Sequence, residues 1–211
     1  DSPYERPMPD FSLERACAAQ PVAGIDEAGR GPWAGPVVAA AVILDERTLP
    51  PGLASRIDDS KQLSAAVRAE IFALLPLYSL IGVGQASVAE IDQFNILRAT
   101  FLAMARAVER LPAKPAMALV DGNRAPTLPC PARPVVRGDS LSLSIAAASI
   151  VAKVTRDRLM TELALSHPGY GWERNVGYGT AVHKQGLVRL GVTNHHRRSF
   201  RPISELISLT N

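Results

Sequence analysis

The order of apolar runs constrains this chain most. Residues 22–26, 36–44 and 78–86 each read as a strand, and the first two are separated by little more than the glycine-rich Ala28-Gly29-Arg30-Gly31-Pro32, a hairpin distance. Two further runs, 116–120 and 134–136, are short and apolar, and the first is reached only through helical stretches at 88–93 and 96–110. A helical pattern at 64–74, with Ser64 as its N-cap, separates the second strand from the third. An Ala-rich helix is expected over 140–166 and another near 181–190. A three-strand meander followed by strands set between helices predicts an α/β fold, a mixed five-stranded sheet flanked by helices. A small helical C-terminal part, about 171–211, follows it. The Pro-rich residues 1–20 read as a loose start, and 211 residues suit a single domain, 1–211.

Composition narrows the function classes. With 47% apolar and 20% charged residues the chain is not a disordered one. No apolar run reaches the length of a membrane helix, the longest, 33–44, being interrupted by Gly35 and Pro36. The start DSPYERPMPD has neither the basic nor the apolar region of a secretory signal, so a cytoplasmic location is expected. Cys17 and Cys130 are far apart and form no CxxC, which leaves no disulfide framework and no thiolate zinc site. The net charge is +3, and residues 171–211 carry six Lys or Arg against two acids, so the excess sits in that tail. A basic segment suits a polyanionic partner, although a merely solvated face fits so small a charge as well.

The acids fall at strand ends: Asp26 and Glu27 after the first strand, Asp121 after the fourth and Asp139 after the fifth. Ligands bind at such ends in α/β sheets. Taken singly, Asp121 before Gly122-Asn123 is a turn residue and Asp139 an N-cap. Taken together, four carboxylates would repel unless a cation lay between them, and all-oxygen ligands point to Mg²⁺ or Mn²⁺. Asp26 and Glu27 are neighbours, and on a regular strand they face opposite ways; both reach one site only if the strand bends, for which Gly29 and Gly31 give freedom.

These residues carry a resemblance. GIDEAGRGPWAGP at 24–36 is similar to the opening signature of the prokaryotic type 2 ribonucleases H, the ribonuclease HII family. The likeness continues, in the family's order, through DSKQL at 59–63, VDG at 120–122, Gly138-Asp139, SIAAASIVAKVTRD at 144–157, GYGT at 177–180 and HRRSF at 196–200. It covers about residues 22–203. The resemblance implies a ribonuclease H-like fold and endonucleolytic hydrolysis of the RNA strand of RNA/DNA hybrids, including at single ribonucleotides embedded in DNA. Asp26, Glu27, Asp121 and Asp139 match the family's catalytic, metal-binding carboxylates, which use two Mg²⁺ or Mn²⁺ ions. Gly29, Arg30 and Gly31 match its ribonucleotide-sensing loop, and Tyr178 the tyrosine that packs on the sugar beside the scissile step. The opening and the N-terminal platform of type 3 relatives are missing, and no sliding-clamp docking motif is evident; a monomer is expected.

Lys61, Lys153 and Arg156 lie in the shared motifs as candidate phosphate contacts, although the latter two fit a solvated helix face equally. Arg197 and Arg198 are expected on a basic duplex-binding surface. His195 and His196 are read as hydrogen-bonding groups, and Trp33 and Trp172 as packing residues. Two other functions are weighed. A DNA resolvase or integrase of the same fold would have no use for a 2′-OH-reading loop, and a non-catalytic nucleic-acid-binding module would not gather acids that repel phosphate.

Overall fold

A computed structural model describes residues 8–209 of the chain. Its strands are β1 (Val22–Ala28), β2 (Val37–Leu44), β3 (Ser79–Ala86), β4 (Met117–Asp121) and β5 (Ala132–Val135). Its helices are α1 (Ser12–Arg15), α2 (Pro51–Ala54), α3 (Ala65–Leu74), α4 (Val88–Phe94), α5 (Ile96–Glu109), α6 (Leu143–Ser166), α7 (Trp172–Asn175), α8 (Ala181–Leu190) and α9 (Arg201–Leu209). The sheet order is β3-β2-β1-β4-β5, with β1–β2 and β2–β3 antiparallel and β1–β4 and β4–β5 parallel. This is the mixed five-stranded sheet that the run order predicts.

Helices cover both faces. β2 is buried at all eight positions, and its alternation divides the core. Ala40, Val42 and Leu44 pack towards α6 and α3, while Val37, Ala39 and Ala41 pack towards α5. α6 lies directly on β1, because Gly24 has no side chain to hold it off: a Cβ there would sit 2.1 Å from the Ser144 carbonyl carbon. Two residues further along the same face of β1 is Asp26. A third cluster, with Trp172, Tyr170, Met160, Leu187 and Ile203, joins the C-terminal part to α6.

Local signals explain the helix starts. The Ser64 side chain accepts from the Val67 N–H, as expected of an N-cap, and Ser87 with Glu90 forms a capping box before α4. One expectation is overturned. Residues 8–20 are not loose: α1 brings Glu14 into the interior, where its carboxylate accepts from Ser142 Oγ at 2.6 Å and from the Ser144 N–H at 2.9 Å. An anion is favoured there by the unpaired N–H groups that open α6. Residues 1–7, the rest of that expectation, lie outside the described residues. The predicted helix over 140–166 is also shorter, since Gly138–Ser140 form a 3₁₀ turn and Ser142 caps α6 by accepting from the Ile145 N–H. Asp139 therefore does not cap the helix.

Candidate active site

β1 and β4 run parallel side by side, so their C-terminal ends deliver Asp26 and Asp121 to the same edge of the sheet. The 3₁₀ turn after β5 adds Asp139. Carboxylate oxygens of these three residues lie within 4.8 Å of one another. The turn is fixed partly by the site itself, since the Asp139 N–H donates to Asp121 Oδ1 at 3.3 Å and Ser140 Oγ donates to Asp139 Oδ1 at 3.3 Å.

Glu27 lies outside this tight trio, although its carboxyl interacts directly with that of Asp26. The ladder with β2 continues without a bulge to Ala28 opposite Val38, so β1 does not make the bend that would swing both acids to one side. Asp26 lies on the α6 face and Glu27 on the α5 face, beside a small depression lined by Arg30, Thr100, Phe101, Asp121 and Arg124. Asp121, at a strand end, borders both. Glu27 Oε1 receives the Arg30 guanidinium at 3.5 Å, while its Oε2 is buried with no hydrogen-bond partner.

Burial and mutual repulsion act on these acids together. Burial first, then the charges of Glu27 and Asp121, hold the Asp26 carboxyl well above the usual carboxylate range. Burial raises Glu27, against the pull of Arg30, and burial followed by Asp139 raises Asp121. One cation answers them from the α3 side. Lys61 Nζ stands 3.3 Å from Asp139 Oδ2 and 3.8 Å from Asp59 Oδ1, and although burial opposes it, Asp139, Asp59 and Asp26 hold its ammonium above its ordinary value. The 3₁₀ turn carrying Lys61 is tied to α6 by the Ser60 N–H donating to Ser149 Oγ at 3.0 Å. Clustered, buried, oxygen-only donors with an unpartnered carboxylate oxygen alongside fit a hard divalent cation such as Mg²⁺ or Mn²⁺.

The loop after β1 continues from these acids. Gly29 has φ +93° and a Cβ there would lie 1.8 Å from Arg156 Nε, so only glycine fits. Arg30 and Gly31 are exposed. Tyr178, 47% exposed, stands across from Gly31, where a Cβ would come 3.3 Å from its Cε1. Arg198 is exposed and its N–H donates to Asp92, while Lys153 is half-buried and paired with Asp157 at 2.8 Å.

Arg197 departs from expectation. It is fully buried, and so is Arg156 at 1% exposure; neither forms part of a basic surface. Both donate to backbone carbonyls of the 29–36 segment. The sequence offers no local signal for this, because the carbonyls of the 29–36 segment that receive each guanidinium lie more than a hundred residues away along the chain. Arg124, at the rim of the depression beside Glu27, was also not singled out from the sequence, though it follows Asp121-Gly122-Asn123 directly.

The comparisons with known proteins agree with this geometry. A ribonuclease HII family model matches residues 23–203. Ribonuclease HII of Rhodospirillum rubrum is 62% identical over 95% of this chain and 93% of its own length, and that of Paramagnetospirillum magneticum is 61% identical over 94% and 98%. Among solved structures, ribonuclease H2 from Pyrococcus horikoshii superposes with a TM-score of 0.74 at 26% identity, covering 89% of this chain and 97% of that one. The family model spans both acid-bearing strand ends, the loop after β1 and the Tyr178 segment, so that the chain belongs to the ribonuclease HII family and is a ribonuclease H endonuclease.

Proposed function

We propose that this enzyme hydrolyses the RNA strand of RNA/DNA hybrids and cuts on the 5′ side of ribonucleotides embedded in duplex DNA, leaving 3′-OH and 5′-phosphate ends. In that role it initiates removal of misincorporated ribonucleotides. The observation that carries the reading is continuity: the loop at 29–31 extends from the very strand that bears Asp26 and Glu27, and Tyr178 faces it across Gly31. A sugar held between loop and ring would place its neighbouring phosphate over the carboxylates.

Asp26, Asp121 and Asp139, with Glu27 from the other face, would hold divalent ions. When bound, such ions lower the pKa of an attacking water and stabilise the departing 3′ oxygen. The chain's own groups do the rest. Peptide N–H groups of the loop hydrogen-bond the 2′-OH, and Tyr178 packs against the adjoining sugar. Lys61 and Arg30, cations at the rim, draw in phosphate, and Arg198, Lys153 and the basic 171–211 part contact the duplex backbone away from the cut. The site needs no second subunit on this reading, which is that of a cytoplasmic monomer built as one domain. Among the described residues no helix is long and apolar enough to cross a membrane.

The test is cleavage mapping with Mg²⁺ or Mn²⁺ on a labelled DNA duplex containing one ribonucleotide. A single cut 5′ of the ribonucleotide, with the all-deoxy duplex left intact, is expected. Equal cleavage of both duplexes would replace this reading with that of a DNA resolvase.

A further inference from the structure

Two cations are buried beneath the loop at 29–31 with no carboxylate at ion-pair distance among the described residues. Arg197 donates from Nη2 to the carbonyls of Gly29 at 2.6 Å and Pro36 at 3.2 Å, from Nη1 to that of Arg30 at 2.8 Å and from Nε to that of Gly35 at 2.9 Å. Its guanidinium is stacked on Phe200, 5.0 Å from the ring centre. Arg156 donates to the carbonyls of Pro36 at 2.9 Å, Ala34 at 3.0 Å and Val176 at 2.8 Å. Desolvating a charge is costly unless hydrogen bonds replace the lost water, and here carbonyl dipoles alone do so. Two adjacent guanidiniums kept in this way need a reason beyond packing.

The reason lies in the peptide planes. In a trans peptide the C=O and the following N–H point opposite ways. Drawing the Gly29 and Arg30 carbonyls inward therefore turns the Arg30 and Gly31 N–H groups outward, and no acceptor meets either one among the described residues. Arg156 performs the complementary task. Its Nη1 holds the carbonyl of Val176, a β-branched residue at φ +46°, a backbone region such residues rarely adopt. Two residues on is Tyr178, and the Trp33 N–H donating to the Gly177 carbonyl at 2.8 Å completes the link. One buried side chain thus joins the loop after β1 to the loop that carries the tyrosine.

We infer that Arg197, with Arg156 beside it, is a positioning residue for substrate selection: it holds the 29–31 loop with its N–H donors turned towards the substrate ribose and in register with Tyr178. Neither arginine touches the nucleic acid. This inference rests on reading that loop as the contact for the 2′-OH. It predicts that the guanidinium fork, and not merely positive charge, is required, because a lysine ammonium cannot span four carbonyls.

The deciding experiment uses Arg197→Lys and three readouts: single-turnover cleavage at one embedded ribonucleotide, affinity for the matching all-deoxy duplex, and Mn²⁺ binding. A cleavage rate reduced about 10²-fold, as small misplacements of a positioned group produce, with the other two readouts unchanged, is expected. Part of the rate lost in Arg197→Ala should return when ethylguanidinium is added. A folded Arg197→Lys that cleaves at the wild-type rate overturns the inference, and so does a rate loss matched by equal losses of duplex affinity and Mn²⁺ binding. Should the lysine variant not fold, Phe200→Leu removes the ring under the guanidinium and leaves its donors. A several-fold loss of cleavage at constant duplex affinity then supports the inference, and an unchanged rate overturns it. Wild-type enzyme that cuts the all-deoxy duplex as fast would instead overturn the reading of the loop itself, whatever Arg197 does.

Discussion

His183 Nε2 and His196 Nε2 face each other at 3.0 Å in rings that are both fully buried. The surrounding donors assign the protons. The Thr193 N–H donates to His196 Nδ1 at 2.9 Å, so His196 carries its proton on Nε2 and donates to His183. His183 Nε2 also accepts from Trp172 Nε1 at 3.2 Å, and its own proton on Nδ1 goes to the Tyr178 carbonyl at 2.9 Å. Every ring nitrogen is used, and only two neutral imidazoles satisfy the pattern.

That arrangement makes the protein acid-sensitive in a defined window. Burial, then the neighbouring His183, pushes the His196 imidazole down to about 3, and burial lowers His183 too. Between an ordinary histidine value near 6.5 and about 3, the unfolded chain holds a proton that the folded one refuses, so stability falls as pH falls through this range. The slope is at most about 1.4 kcal/mol per pH unit for each such proton. Urea unfolding at a series of pH values should show it, and His196→Gln should flatten the profile; a profile identical to wild type would contradict the assignment.

Asp139→Asn should preserve the fold and lower turnover by more than the ~10–100-fold that losing an outer-shell partner of a metal ligand costs. Without divalent ions the same variant should melt at a higher temperature than wild type, because Asp139 is one of the charges acting on Asp121 and Asp26. Steady-state rates at saturating Mg²⁺, paired with melting in EDTA, check both halves.

That Glu27 touches Asp26 yet lies outside the three-aspartate cluster has its own consequence. Glu27→Gln should retain a Mn²⁺ ion at Asp26, Asp121 and Asp139 while losing turnover, whereas Asp26→Asn should lose that ion. Mn²⁺ titration followed by electron paramagnetic resonance distinguishes the two. Equal loss of metal from both variants would place Glu27 within the aspartate cluster.

Tyr178→Ala should leave the melting temperature nearly unchanged, since the side chain is half exposed. It should reduce cleavage at a single embedded ribonucleotide much more than cleavage within a long hybrid, where no junction has to be read. Tyr178→Phe should lose only the hydroxyl's share. A large drop in melting temperature for the alanine variant, with both substrates affected alike, would make the ring a packing residue.

Much of this was legible in the sequence because it is local. Strand runs, the Ser64 cap and the acids at strand ends are written within a few residues, and strand-end placement was enough to gather Asp26, Asp121 and Asp139. β1 keeps the alternation of a regular strand and does not bend, so Glu27 starts from the opposite face and meets Asp26 only through its side chain. The segment that holds Glu14, and Arg197, were misread for a shared reason. Glu14 and Arg197 are charged residues in segments that look solvent-exposed, and each meets hydrogen-bond partners more than a hundred residues away, Ser142 and Ser144 for Glu14 and the carbonyls of the 29–36 segment for Arg197. No periodicity announces such a partner.

The parallel pairing of β1 with β4 also sets when, during folding, the acids can meet. A nascent chain that has released the β1–β2–β3 meander already contains Asp26 and Glu27, yet Asp121 and Asp139 are still to be translated. Pairing across so long a loop is a late, entropically costly step. The three aspartates are therefore gathered only once β4 and β5 have joined β1, and the cluster cannot form in a folding intermediate that holds the meander alone.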